Sequence, residues 1–161
     1  MERVIFYTTF VTALGSGLIA GTFFIFSAAI MSAFRRLPAS EGMAAMQSIN
    51  VVIINPIFLG VFLATGVLSA VLTIFALLRW ELPSSGFVVA GAALYLLGSL
   101  LVTMTLNVPL NDALANANPQ TTAGQEVWQN YLSRWTFWNH VRTIASLAAS
   151  ASFILALTAN R

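Results

Sequence analysis

Four stretches without a single charged side chain, Val4–Phe34, Gly42–Leu78, Leu82–Asn111 and Thr143–Asn160, constrain this chain more than anything else in it. About 20 apolar residues cross the roughly 30 Å of hydrocarbon in a bilayer. Inside that layer each backbone polar group has to be bonded within its own segment, so runs of this kind become helices. The run after Met1 is about twice the length of a signal-peptide core, which predicts a retained span. Gly42–Leu78 is too long for one crossing, and Asn55-Pro56 divides it. Asn is a favoured helix N-cap and Pro a favoured first residue.

The predicted fold is all-α: an integral membrane four-helix bundle forming one domain over residues 1–161. Its spans are expected at about 4–31, 56–78, 87–106 and 138–158, each near the length a bilayer requires. Pro109 is expected to stop the third. Short amphipathic helices are expected before span two and before span four, the second opening on a Thr122-x-x-Gln125 capping box. Small residues at Ala13, Gly17 and Gly21, and again at Ala145 and Ala149, suit close helix packing.

Composition then removes function classes. Charged residues make up 7% of the chain, and the seven basic ones, all Arg, are scattered. Nucleic acid is therefore not an expected partner. With one His and no Cys, no metal site built from protein side chains is expected, and none of the five carboxylates lies within a span to serve a proton relay. The expected location is a multi-pass position in a bacterial inner membrane. Arg3, Arg79 and Arg161 fall on one side, and Arg35, Arg36 and Arg134 on the other. The positive-inside rule sees a tie, which the Arg35-Arg36 pair directly after span one tips toward a cytoplasmic placement of its side.

Threading the spans gathers Asn50, Asn55, Asn107, Asn111, Arg134, Asn139, His140 and Arg142 at one end of the bundle. Polar groups at membrane depth are costly and face a cavity or each other. On span four, Asn139, Thr143, Ser146 and Ser150 keep to one line, with His140 about 100° to one flank and Arg142 about 60° to the other. Those two are expected to flank a pocket centred on Asn139. Each residue also has a structural reading: Asn55 as a helix cap, Arg142 as a headgroup anchor, Trp138 as part of an interfacial belt.

Several stretches resemble the anthrone oxygenase-like membrane family: Gly17–Phe24, Asn55–Gly60, Asn107-Val108-Pro109-Leu110-Asn111 and Trp135–Thr143. The resemblance covers nearly the whole chain and implies a four-span bundle. For polyketide-pathway members it implies oxidation of an anthrone to an anthraquinone by O₂ without metal or flavin. The matching positions are Asn107, Asn111, Trp138, Asn139, His140 and Arg142. The functional expectation is a monooxygenase without cofactor, acting on an anthrone-like or hydroquinone-like aromatic. The alternative is a non-enzymatic membrane module that binds a lipid or quinone or scaffolds a partner. In the first reading His140 is the general base, since its unperturbed pKa lies near neutrality. Arg142 and Asn139, with Asn107, hold the oxyanion. Trp138, Asn111, Asn50 and Asn55 line the substrate. Expected partners are a small aromatic substrate, O₂ and membrane lipids, with homo-oligomerisation left open.

Overall fold

The computed structural model describes the backbone of Glu2–Ala159 and the side chains from Arg3 onward; Arg161, one of the three arginines expected on the terminal side, lies outside the described residues. Every regular element among them is helical. Helix α1 (Glu2–Ile25) runs through a π-helical turn, Phe26–Ile30, into α2 (Met31–Arg35). After α3 (Ala39–Val52) comes α4 (Pro56–Leu78). Then α5 (Ser85–Tyr95), two π segments (Leu96–Leu101 and Thr103–Asn107) and α6 (Val108–Ala115) form one rod, and α7 (Thr122–Ala159) closes the chain. Four of these rods are long and apolar enough to cross a membrane. The chain is a multi-pass membrane protein.

Local chemistry sets the boundaries. Asn55 Oδ1 accepts from the Ile57 and Phe58 amides, both at 3.0 Å, and Pro56 follows as the first helical residue. That satisfies two of the orphan donors of α4. At α7 the cap is Thr121 rather than Thr122: its Oγ1 accepts from the Gly124 amide at 3.1 Å, one residue earlier than the capping-box spacing suggested. Pro109 does not end the third rod, which continues to Ala115. A proline inside a helix lacks a donor and crowds the carbonyl four residues back. The π segment Thr103–Asn107 directly before it widens the turn where that clash would fall. The amphipathic helix expected ahead of span four is the first part of α7 itself, which at 38 residues is about 57 Å long and projects well past the hydrocarbon.

The spans pack as a ring in which α1 lies against α7, α7 against α5, α5 against α4, and α4 against α1. Their apolar core includes Phe23, Phe62, Leu72, Tyr95, Ala149 and Phe153. Two hydroxyls inside it are bonded within and between helices: Ser69 Oγ donates to Thr65 O at 2.8 Å, and Ser150 Oγ crosses to Ala13 O at 2.9 Å. Gly98 lets two rods touch, since a Cβ there would fall 2.5 Å from Ala145 Cβ. Ala13 and Gly17 face Ser150, but Gly21 has nothing within 4 Å and is no part of a contact ridge. The outward residues Val67, Ile74, Leu97, Ile144 and Leu147 are exposed, as a lipid-facing surface requires. A second core, built from Met31, Met43, Met46, Leu114, Trp128 and Tyr131, joins α2, α3, α6 and the first half of α7 into a head at one end.

Candidate active site

Between the two cores sits Arg142, only 4% exposed. On α7, Trp135, Asn139, Arg142 and Ser146 recur at helical spacing and form one buried face. Arg142 Nη2 donates to Asn139 Oδ1 at 2.7 Å and Nη1 to Thr103 Oγ1 at 3.2 Å. The guanidinium carbon lies 4.1 Å from the centroid of the Phe23 ring and 5.1 Å from that of Trp135. Asn139 is itself held from α1 and the first π turn, its Nδ2 donating at 2.8 Å both to Phe23 O and to Ser27 Oγ. Both amide hydrogens are thereby used. Asn139 positions Arg142, and it has no donor left for an oxyanion.

No carboxylate among the described residues answers this charge. Among the described residues, Glu41, Glu81, Asp112 and Glu126 are all exposed, and the ion pair formed is Arg79–Glu81, far along the chain at 2.7 Å. Burying an ion costs several kcal/mol even after relaxation. Hydrogen bonds to a charged group return about 1.5–3 kcal/mol each and cation–π contacts less, so solvation is partly replaced while the charge stays uncompensated. Around it, several buried polar atoms have no hydrogen-bond partner: Arg142 Nε, Asn107 Oδ1, Trp135 Nε1, Ser99 Oγ and Ser146 Oγ. Native interiors leave few such groups, and each asks for a cause.

The backbone is unusual at the same place. All three π segments among the described residues contribute here: Ser27 from the first, Ser99 from the second, Thr103 and Asn107 from the third. A π turn inside an α-helix frequently marks a functional site. The first and third bond α7 through Ser27, Thr103 and Asn107.

The remaining expected residues divide. Asn107 is buried in this cluster; its Nδ2 donates to Trp135 O at 3.2 Å, and its Oδ1 has no donor. Asn111 Oδ1 accepts from the Tyr131 hydroxyl at 2.8 Å, and Asn50 Nδ2 reaches the same hydroxyl at 3.5 Å. Those two knit the head one turn away, where Trp128, Tyr131 and Trp135 stack at 5.8 and 5.6 Å. Asn55 is engaged by its cap, its Nδ2 also donating to Val52 O at 2.9 Å. Trp138 packs edge-on against the exposed Phe137 ring at 5.0 Å. His140 is exposed and does not share the Arg142 face. Phe23, Ser27, Thr103 and Trp135, which do shape the site, were not among the expected residues. Only Trp135 carried a signal, its spacing of four from Asn139 and seven from Arg142.

The family model described as anthrone oxygenase matches residues 45–152, more than half of the chain and including every α7 residue of the cluster. This chain belongs to the anthrone oxygenase family. No curated protein and no solved structure matches it. Within this family member, Phe23 and Ser27 lie ahead of the matched stretch, so α1 completes the Arg142 surroundings from outside it. Among the described residues no three His, Asp or Glu side chains come together to hold a metal ion.

Proposed function

We propose that this protein is a membrane oxygenase that converts an anthrone-like or hydroquinone-like aromatic to a quinone with O₂, using the substrate itself as electron donor. The observation carrying the reading is the buried, uncompensated Arg142 guanidinium lying over two aromatic rings in a chain of the anthrone oxygenase family. Ground-state O₂ is a triplet and reacts slowly with closed-shell molecules, so the ring has to become electron-rich first. A guanidinium in a water-poor site favours the ionised form of an acid placed beside it. For an anthrone, C₁₄H₁₀O, loss of one proton gives an enolate whose oxygen pairs with Arg142 and whose charge reaches the opposite ring carbon. That carbon passes electrons to O₂ and forms a C–O bond. The hydroperoxide, once protonated, breaks its O–O bond and loses the remaining hydrogen of that carbon, giving C₁₄H₈O₂ and H₂O.

This assigns stabilisation of the enolate, not removal of the proton, to Arg142; the proton passes to water and is returned when the peroxide is protonated. His140, on the exposed surface of α7, has no contact with a ring held there. A lipophilic polyketide intermediate in a bacterial inner membrane is the substrate setting that fits the apolar outer surface. Membranes carrying the protein are expected to raise oxygen uptake with anthrone well above membranes without it, and Arg142→Lys to lose most of that increment. Lys keeps a charge but not the planar set of donors. Equal uptake with and without the protein, across anthrones and hydroquinones, would leave the non-enzymatic binding module as the better reading.

A further inference from the structure

A cavity lies between the spans at the end of the bundle away from Arg142, and it shares no residue with the polar cluster or the head. Its volume of about 1040 Å³ is at the top of the range of about 300–1,000 Å³ usual for small-ligand sites. All four membrane-crossing rods wall it, through the first turns of α1 and α5 and the last turns of α4 and α7. It therefore opens at the level where hydrocarbon gives way to headgroups. The wall changes character with depth. Leu72, Ala76, Val88 and Ala156 are apolar and buried. Two hydroxyls of the wall are committed to backbone: Thr9 Oγ1 donates to Ile5 O at 2.8 Å and Ser85 Oγ to Arg79 O at 2.7 Å. Arg3 and Tyr7 are exposed and, four residues apart, share one face of α1. Arg3 forms no ion pair among the described residues, the pair at this end being Arg79–Glu81. An apolar interior under a cationic rim fits an amphiphile with a hydrocarbon tail and a negative head. A polar aromatic would leave its oxygens unpaired among those apolar side chains, at a cost.

We propose that this cavity is a lipid site, taking one acyl chain of an anionic phospholipid whose phosphate rests on Arg3 and Tyr7. Arg suits that role because its planar fork meets two phosphate oxygens at once, and Tyr is at home at the membrane–water interface. The site selects by headgroup. Its apolar wall discriminates little between chains that differ by a methylene. The inference is independent of the oxygenase reading, since it uses none of the residues around Arg142.

The test is native mass spectrometry of the full chain released from detergent, with phosphatidylglycerol and phosphatidylcholine of identical palmitoyl and oleoyl chains as probes. The wild type is expected to hold one phosphatidylglycerol, about tenfold or more tightly than phosphatidylcholine, as one hydrogen bond to a charged group allows. Arg3→Gln should bring the two lipids level. Ala76→Leu, which sets a larger apolar side chain into the cavity, should lose both, and Ala156→Leu serves if that variant fails to fold. Equal retention of the two lipids by the wild type, or a preference that survives Arg3→Gln, would overturn the proposal. So would full binding in both cavity variants, which would put the lipid on the outer surface. Two competitors complete the test. Inorganic phosphate raising the thermal midpoint as far as phosphatidylglycerol does would make this an anion site alone, and displacement of the lipid by anthraquinone would give the cavity to the aromatic. Either result sinks the lipid site, and no change with either competitor supports it.

Discussion

The two ends of the bundle handle charge in opposite ways. At the end where Arg3, the α4–α5 linker and Ala159 come together, Arg79 pairs with Glu81 at 2.7 Å, both side chains well exposed. That pairing holds the Glu81 carboxyl below its usual range. Below the same end lies a cavity of about 1040 Å³ between the helices, walled largely by apolar side chains. At the other end Arg142 is buried against rings and an amide and, among the described residues, is paired with no carboxylate. An apolar cavity wall discriminates little between greasy groups, whereas a buried charge without a counterion favours one kind of partner, so the Arg142 end is the more specific of the two.

The largest expected effect compares the two arginines. Arg142→Gln should lower turnover about 10²–10³-fold, the usual loss when a donor aimed at developing negative charge is removed. Arg79→Gln should leave turnover and thermal midpoint unchanged, since a solvent-exposed ion pair contributes little. Oxygen-uptake rates on matched amounts of folded protein check both. Similar losses in the two variants would show that the contrast between the ends has no bearing on activity.

Packing supplies the next contrast. Gly98→Val places new atoms against Ala145, where even a Cβ has only 2.5 Å, and should destabilise the bundle by about 1–3 kcal/mol. The same change at Gly21, which has nothing within 4 Å, should leave the thermal midpoint close to wild type. In the head, Tyr131→Phe removes the hydroxyl bonded to Asn111 and should cost about 0.5–1.5 kcal/mol. Its loss of turnover should be far below that of Arg142→Gln. Thermal unfolding in one detergent ranks the three.

Much of this arrangement was legible in the chain. Uncharged runs gave the number of long apolar helices, Asn55-Pro56 gave the start of α4, and the line of Asn139, Thr143, Ser146 and Ser150 gave the buried face of α7, where all four are at most 8% exposed. The gathering of asparagines at one end was legible too. What was not legible depended on contacts between helices. Phe23 and Thr103 carry no mark that links them to Arg142, because the link exists only once three rods meet. Pro109 read as a stop because the widened turn that absorbs it has no composition of its own. The reading of Asn139 as an oxyanion donor failed to anticipate that α1 would occupy both its hydrogens.

The smallest expected effect is the most diagnostic, and it concerns His140. Helical angles set this residue about 100° from Asn139, which reads as the rim of a pocket when the inward direction is drawn through Asn139 alone. Trp135 and Arg142 are buried on the other side of that line, at about 40° and 60° from it. They pull the centre of the inward face away from His140 and leave its ring exposed. A base has to come within hydrogen-bond reach of the proton it removes, and a ligand beside Arg142 does not offer that reach. His140→Gln is therefore expected to keep nearly wild-type oxygen uptake. A loss of tenfold or more in His140→Gln would mean that substrate is ionised at the outer surface of α7. Arg142 would then serve to hold the bundle end together, and the contrast between the two ends would be one of architecture alone.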